Sequence, residues 1–581
     1  MNFPVPAAQG PWLRYAAAAV ALMAIVPFVL PFHQPPLQSF YQEWIAFLFG
    51  SAALALVGLG ATDRRIEVPR TTVLPLGLAV LVIVQIILGR ITYWQQGVLG
   101  MLYLLWACAM LAVGFVLRRG LGWDRFAAVI SWALFAGSMA TAAMAYARFL
   151  GWNTAGWVMP MFLPRLYGNL GQPNHFADYL ALGLFSAGFL IVTRRLNTVI
   201  GIAASVVLLV GLNLSGSRVV WIYLVAAAAL AAWLHLGQRT GESRRLFAWA
   251  GAMIVLYVAI QLGAAHLFDA NSPSIVVVKR LSEDVSANSD RSRIWYAALL
   301  MLKDTPVLGV GFEGFGWHYF EMFSRFPSDL DPGLTDNAHN IVFQLLAEFG
   351  LPGGLLLALC VVIWAAGQWR QPLSVQRWWA LSLVATIGAH SLLEYPLWYA
   401  YFLGVFAVLL GATEEAAWRF HSRALDRIAF AAAALIAVWT LSTILVDYRR
   451  VEGLAHMPQN ALEADRILSQ ALSLHRTSLL THIVELGLVR TIRIDEDQLQ
   501  AKLELNGRVL RYLPTANVAY RQSALDALAG NLPAAFRQWD LAAACFPGKA
   551  APMIAELRLL ASQGQPRLVP LVEYAAARGK E

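Results

Sequence analysis

The amino-acid sequence predicts an all-α, polytopic integral membrane protein with folded pieces outside the bilayer. Of its 581 residues, 59% are hydrophobic and only 13% are charged, a composition too apolar for an ordinary soluble domain. Apolar runs long enough to cross a hydrocarbon layer of about 30 Å recur from residue 13 to residue 446, and in lipid each run can satisfy its backbone groups only as a helix. After residue 446 the pattern changes to short amphipathic segments.

The apolar runs predict about thirteen transmembrane helices. We expect residues 1–446 to form a transmembrane body and residues 447–581 to form a separate helical domain. The predicted spans are 13–31, 44–61, 71–89, 98–117, 126–149, 175–193, 197–212, 218–236, 246–267, 339–365, 377–392, 394–412 and 428–446.

The distribution of arginine predicts the orientation, because loops that stay in the cytoplasm retain Lys and Arg. With a cytoplasmic N-terminus, the short loops on the opposite side hold only Arg90, Arg165 and Arg218. The net charge of +8 is then a topology signal and does not indicate nucleic-acid binding. This orientation places the loop at 268–338 and the whole tail outside the cytoplasm.

Three segments outside the spans are predicted to be ordered. The loop at 150–174 is rich in Gly, Pro and Trp, which suits the headgroup level of a membrane. The loop at 268–338 is about 70 residues long and carries a helical pattern from Arg291 to Lys303, so we expect it to be folded and functional. The tail predicts about six short paired helices that resemble a tetratricopeptide-type solenoid, although no clean period of about 34 residues is found.

Polar residues gather where spans begin on the predicted outer side. Helix N-termini carry partial positive charge and free N–H groups, and arginine matches phosphate oxygens in a bidentate way. The pattern therefore predicts one cavity that binds a lipid-linked anion, for which a diphosphate is the natural candidate. The residues are Gln172, Asn174 and His175 in GNLGQPNHFADYLAL, Arg218 in NLSGSRVVWI, Arg291 and Arg293 in SANSDRSRIWYAALL, and His339 and Asn340 in TDNAHN.

His339 is the best placed catalytic candidate, because it is the only titratable base in a cluster of short polar residues. An imidazole accepts a proton near neutral pH, so it can activate a hydroxyl that attacks the anomeric carbon of a lipid-diphosphate sugar. The sequence carries no metal-ligand motif and no nucleotide-binding loop, so we expect no metal and no cofactor.

Each of these residues also has a structural interpretation. Arg218 and Arg291 can extend their charged ends to the membrane interface without binding a ligand. Asp336 or Asn337 can cap the helix that follows. His33, His175 and His390 can be hydrogen-bonded structural groups. These alternatives stay open from the residues alone.

Three segments resemble a known family. DNAHNIVFQLLAEFGLPGG resembles the signature of the O-antigen ligase and polymerase superfamily. GNLGQPNHFADYL and HSLLEYPLWYAYFLG are similar to those of the bacterial O-oligosaccharyltransferases that glycosylate pilins and other periplasmic proteins. The resemblance implies a metal-independent GT-C glycosyltransferase of the inner membrane. It would transfer an oligosaccharide en bloc from undecaprenyl diphosphate to a Ser or Thr hydroxyl.

The resemblance also implies roles for individual residues. His339 corresponds to the catalytic histidine, and Arg291, which precedes Trp295 by four positions, corresponds to a catalytic arginine. Arg293 is an extra positive group that substitutes for Arg291 or assists it. The substrate-binding set consists of Arg218, Gln172, His175, Arg293, Asn340, Glu394, Tyr395 and Tyr399.

Other functions compete with protein glycosylation. An O-antigen ligase would use the same donor and the same histidine, but its acceptor would be lipid A-core, and a glycan polymerase is a third reading. A transporter of lipid-linked glycans predicts inverted repeats and broken helices near the midplane, whereas here no internal repeat is found and the polar clusters gather at one face. A scaffold that binds partners through its tail would not require the arginines and histidines.

Overall fold

A computed structural model describes residues 11–60, 65–163, 165–267, 286–325, 334–421, 425–454, 461–475 and 477–578. Parts of the predicted loop at 268–338, namely residues 268–285 and 326–333, lie outside the described residues. The described chain is almost entirely helical, which confirms the predicted class.

A helix coincides with each predicted span. The helices of this region are α1 (Pro11–Met23) with the single turn α2 (Val26–Val29), α3 (Phe40–Gly60), α4 (Val73–Ile87), α5 (Trp94–Leu121), α6 (Trp123–Phe149), α7 (Pro173–Val192), α8 (Thr198–Leu214), α9 (Val220–Gln238), α10 (Gly241–Leu267), α11 (Ser286–Asp304) and α12 (Phe315–Met322) from the loop, α13 (Ile341–Trp369), α14 (Val375–Ser391), α15 (Ala400–Thr413) and α16 (Leu425–Leu454).

Ten membrane candidates within the described residues are long and apolar enough to cross a bilayer. Helices α8 and α15 are shorter, and α14 has 17 residues. Apolar side chains such as Val255 and Val362 are exposed, as expected of faces that meet lipid. The chain is a multi-pass membrane protein, and the exact number of crossings stays a prediction.

Two short strands were not predicted. Strand β1 (Arg65–Pro69) pairs antiparallel with β2 (Ala417–His421), with Glu67 opposite Arg419. The Glu67 carboxylate accepts from Arg119 at 2.6 Å and from Arg419 at 3.0 Å. A pairing between segments this distant in the chain leaves no local periodicity that marks it in the sequence.

The chain divides into two compact units. The first unit consists of residues 1–76, 103–284 and 356–442, and the second of residues 77–102, 285–355 and 443–581. The predicted boundary at residue 446 stays a prediction.

Helix α7 is the centre of the first unit. Its membrane window is completely buried, and it packs against α6, α8 and α14. On α14, the Trp379 indole donates to the Ser186 hydroxyl of α7 at 3.1 Å, and the Trp378 indole donates to the Ala227 carbonyl of α9 at 2.9 Å. These two hydrogen bonds fix α14 against α7 and α9.

The second unit contains α11, α12 and the helices of the tail. Seven described helices follow residue 460, one more than the approximate prediction: α17 (Ala461–His475), α18 (Thr481–Val489), α19 (Leu499–Tyr512), α20 (Ala516–Leu528), α21 (Leu532–Cys545), α22 (Ala550–Ser562) and α23 (Val569–Arg578). The buried Glu485 accepts from Arg508 at 2.8 Å and from the Tyr93 hydroxyl at 2.6 Å. This network ties the tail to the segment before α5 within the unit.

Candidate active site

The sequence-predicted site residues form two sets, and each set lies within one compact unit. Arg291, Arg293, His339 and Asn340 belong to the second unit. Gln172, His175, Arg218, Glu394, Tyr395 and Tyr399 belong to the first unit.

The backbone around His339 is held in an unusual conformation. His339 has φ of 49°, in the left-handed region that L residues rarely adopt. Both backbone polar groups of the preceding residue, Ala338, are hydrogen-bonded to side chains. Its N–H donates to the Gln344 side chain at 2.6 Å, and its carbonyl accepts from the Trp295 indole at 3.0 Å. These two hydrogen bonds set the direction in which the chain enters His339.

Asn340 caps helix α13. Its side-chain oxygen accepts from the backbone N–H groups of Val342 at 2.9 Å and Phe343 at 3.3 Å. The suggestion that Asp336 or Asn337 caps this helix is therefore wrong. The helix begins at Ile341, two residues later than predicted, and the Asp336 carboxylate instead accepts from the Asn337 side chain at 2.8 Å.

The two arginines of α11 have different surroundings. Arg293 is 7% exposed, and its guanidinium lies 5.1 Å from the centre of the Phe323 ring in the core of the unit. Arg291 is half-buried and lies one helical turn before Trp295, whose ring stacks on Phe343 at 5.1 Å. The expectation that Arg291 lies at a helix start is wrong, because α11 begins at Ser286 and places it in the second turn.

Helix α13 is broken after its first third, where Gly350 has φ of 66° and ψ of −160° ahead of Pro352. The break leaves the carbonyls of Ala347 and Glu348 without their helical partners, and these accept from Val310 at 2.9 Å and Gly311 at 3.2 Å. The loop before α12 is thus bonded to the helix that follows His339.

Gln85 and Glu348 complete this arrangement. The buried Gln85 amide donates to the carbonyls of Leu308 and Glu348, both at 2.8 Å, and accepts from the Phe312 N–H at 3.0 Å. The Glu348 carboxyl accepts from the Gln344 side chain and from backbone groups of the loop. A continuous chain of hydrogen bonds therefore runs from the broken helix through Gln344 to the peptide before His339.

We expect Trp295→Phe to lower the turnover number about tenfold while leaving the fold intact. The change removes the hydrogen bond to the Ala338 carbonyl, at a cost of about 1–3 kcal/mol, but keeps an aromatic ring against Phe343. Trp317→Phe is the matched control, because Trp317 stacks on Phe320 within the same unit. Steady-state kinetics give the turnover number of both variants. A wild-type turnover number for Trp295→Phe would exclude Trp295 as a residue that positions the site.

In the first unit, Gln172 is the N-cap of α7. Its side chain accepts from the His175 N–H at 3.0 Å, and Pro173 occupies the first helical position. The cap fixes the position of the first turn, so that the His175 ring lies 4.9 Å from the Tyr399 ring and 6.4 Å from the Tyr395 ring, measured between centres.

A chain of polar contacts holds three segments of the first unit together. Arg165 donates to the Ser215 carbonyl at 2.7 Å and to the Asn174 side chain at 3.4 Å. Asn174 in turn donates to the Glu394 carboxylate at 3.0 Å. Arg218 follows the Ser215 turn, in which Gly216 has φ of 63°, and lies two residues before the start of α9 at Val220. The structure thus assembles the GQPNH, SGSR and LEYPLWY segments around one group of side chains.

Sequence reasoning missed several residues that organise these two sets. Asp178, Gln85, Gln344 and Glu348 are polar groups inside apolar spans, and such groups are functional candidates in a membrane helix. His33 contacts the Asn169 carbonyl and the Gln42 side chain, which supports its structural interpretation. His390 pairs with Asp178.

Comparison with known proteins adds independent information. Residues 203–358 match the family described as O-antigen ligase, residues 166–191 match protein glycosylation ligase, and residues 378–557 match the C-terminal region of a virulence factor membrane-bound polymerase. The general O-oligosaccharyltransferase of Acinetobacter baylyi is 24% identical over 436 residues, which cover 74% of this chain and 75% of that protein. The ComP-specific O-oligosaccharyltransferase of the same organism is 24% identical over 384 residues, covering 65% and 67%.

Together, the helical membrane fold and these matches define the chain as a membrane-embedded glycosyltransferase. Its sequence is similar to the O-antigen ligase family and, over residues 166–191, to protein glycosylation ligases, and both relatives named above are O-oligosaccharyltransferases.

Proposed function

We propose that the protein transfers a preassembled oligosaccharide en bloc from undecaprenyl diphosphate to Ser or Thr hydroxyls of pilins or other periplasmic proteins. The observation that carries the proposal is the match of residues 166–191 to protein glycosylation ligases, together with two relatives that are both O-oligosaccharyltransferases. The matched residues include Gln172 and His175, which lie in the polar group of the first unit.

In the proposed reaction, the acceptor oxygen attacks the anomeric carbon of the first sugar. The new C–O bond replaces the bond from that carbon to the diphosphate, and undecaprenyl diphosphate leaves. His339 takes the hydroxyl proton as general base. The held conformation of residues 338–340 supports this role, because a catalytic group is most effective when its direction is set before substrate binds.

The arginines would stabilise the charge of the leaving diphosphate. Guanidinium groups bind phosphate oxygens through paired N–H donors, and the interaction strengthens as negative charge develops on the leaving group. We assign this role to Arg291 and Arg218, on the resemblance of their segments to the family. Gln172, His175, Glu394, Tyr395 and Tyr399 would bind the polar head of the donor. No metal or nucleotide enters the proposed reaction, because the activated donor supplies the energy.

The proposed orientation follows from the arginine distribution in the loops. The N-terminus would lie in the cytoplasm of the bacterial cell, the protein in the inner membrane and the tail in the periplasm. The helical tail would then face acceptor proteins, and its paired helices offer a surface of the kind that repeat domains use for binding.

The acceptor is tested by expressing the protein with a pilin and a lipid-linked glycan in a ligase-deficient host. We expect the intact mass of the pilin to rise by one whole glycan per site, while the lipopolysaccharide stays unmodified. The match of residues 203–358 to O-antigen ligases makes lipid A-core the second candidate acceptor. Glycan on the lipopolysaccharide and none on the pilin would replace the proposed acceptor with that one.

A further inference from the structure

A carboxylate and two imidazoles lie buried together in the first unit. Asp178 on α7 and His390 on α14 are both completely inaccessible to solvent, with Oδ2 of Asp178 and Nδ1 of His390 3.1 Å apart. His175 lies one turn before Asp178 on α7 and is 1% exposed, and its ring centre is 5.6 Å from that of His390. Tyr223 from α9, also 1% exposed, interacts electrostatically with Asp178 and Glu394. We call His175, Asp178, Tyr223 and His390 the buried polar cluster.

Several atoms of this cluster lack a hydrogen-bond partner among the described residues. They are Nε2 of His175, both carboxylate oxygens of Asp178, both ring nitrogens of His390 and the Tyr223 hydroxyl. Oδ2 of Asp178 and Nδ1 of His390 approach to 3.1 Å without forming a well-aligned hydrogen bond. Buried polar atoms are nearly always hydrogen-bonded in proteins, so such a concentration in one place indicates a site built for something other than packing. Ionisable groups within a membrane helix support the same conclusion. They cost free energy in the bilayer and are retained where they have a function.

The same two helices also show what a purely structural contact looks like. The Trp379 indole on α14 donates to the Ser186 hydroxyl on α7 at 3.1 Å, and both groups are neutral. Joining α7 to α14 therefore does not require an ionisable pair. The pair of Asp178 and His390 lies instead beside the first turn of α7, where Gln172 caps the helix and His175 faces Tyr399.

We propose that Asp178 and His390 are positioning residues for donor binding, which hold His175 and the first turn of α7 against the polar head of the lipid-linked donor. The inference rests on the proposed function. Because Oδ2 of Asp178 lies 3.1 Å from Nδ1 of His390, the carboxylate favours a proton on Nδ1, and Nε2 then stays available to the rest of the cluster. The oriented His390 ring then limits the positions that the neighbouring His175 ring can take.

The test compares Asp178→Asn with Trp379→Phe, because each weakens one contact between the same two helices. For each purified variant, donor KM and turnover number are measured, as is the rise in unfolding temperature on adding undecaprenyl diphosphate. We expect Asp178→Asn to raise donor KM about tenfold or more and to reduce the ligand-induced rise. Trp379→Phe should leave both within about twofold of wild type. Equal effects of the two variants, or a normal donor KM in Asp178→Asn, would overturn the inference.

A swapped variant covers the case in which Asp178→Asn does not fold. Asp178→His combined with His390→Asp retains a carboxylate and an imidazole between the helices but reverses their places. We expect the double variant to fold and to keep a raised donor KM. In this variant a carboxylate at position 390 replaces the imidazole that lies beside the His175 ring in the wild type. If the swap restores wild-type KM, the pair acts only as a link between helices and the inference fails.

The binding measurement separates this inference from the proposed function. If wild type binds undecaprenyl diphosphate and Asp178→Asn binds it weakly, the inference stands whichever acceptor receives the glycan. If the pilin is glycosylated and Asp178→Asn has a normal donor KM, the proposed function stands and the inference fails. A wild-type protein without a ligand-induced rise would overturn both.

Discussion

His339→Ala is expected to lower glycan transfer by about 10²- to 10⁴-fold, with normal protein level and normal membrane insertion. The change removes the proposed general base, which would accept the proton of the attacking hydroxyl. We expect the segment to stay folded, because the Ala338 backbone and the Asn340 side chain keep their hydrogen bonds in the variant. Transfer is measured as glycosylated acceptor per unit of folded enzyme.

His318→Ala is the matched control for that experiment. His318 also lies in the second unit, where its ring contacts the Gly314 carbonyl of its own helix at 2.9 Å, and no catalytic role is proposed for it. It should retain turnover within about twofold of wild type. Retained transfer by His339→Ala would exclude this histidine as the base.

Arg291→Met is expected to reduce transfer by about 10²- to 10³-fold, whereas Arg293→Met should change it only slightly. Methionine keeps much of the apolar stem of arginine and removes the charge, so the comparison isolates the guanidinium. Loss of a donor aimed at developing charge costs about 2.7–4 kcal/mol of transition-state stabilisation. Arg293 packs over Phe323 in the core, and we expect its replacement to act on stability alone.

Turnover and unfolding temperature are measured for both arginine variants in the same preparation. The reverse result, with Arg293→Met inactive and Arg291→Met active, would assign the phosphate-binding role to Arg293 instead of Arg291. Equal loss in both would show that the two guanidinium groups act together.

Much of the architecture could be predicted, because each transmembrane helix is encoded by a continuous apolar segment of the sequence. A long apolar run has one stable backbone solution in lipid, so the helices from α1 to α10 and from α13 to α16 coincide with apolar segments. The pairing of β1 with β2 could not be predicted in this way, because both strands are short and their partners are remote in the chain.

The candidate site was predictable in its residue types and less so in its local geometry. The polar clusters in the sequence predicted Gln172, His175 and Glu394 as site residues. The structure places these three residues close to one another in one unit. Their spacing did not show that Asn340 rather than Asp336 caps α13, since both residue types cap helices well and only the helix start distinguishes them.

Partners brought together by packing were also missed. The pair of Asp178 and His390 joins two helices that are about 200 residues apart in the chain, and no local pattern links them. Arg293 was predicted as an extra positive group beside Arg291, and its role in the site stays a prediction. The structure buries Arg293 against Phe323, while Arg291 shares a helix face with Trp295.

The most direct test of the account is transfer by the purified protein in vesicles that contain an undecaprenyl-diphosphate-linked oligosaccharide and a pilin acceptor. Intact-mass analysis should show wild type adding one whole glycan to a Ser or Thr of the pilin, and His339→Ala adding none. An unmodified pilin with consumed donor, or equal modification by wild type and His339→Ala, would contradict it.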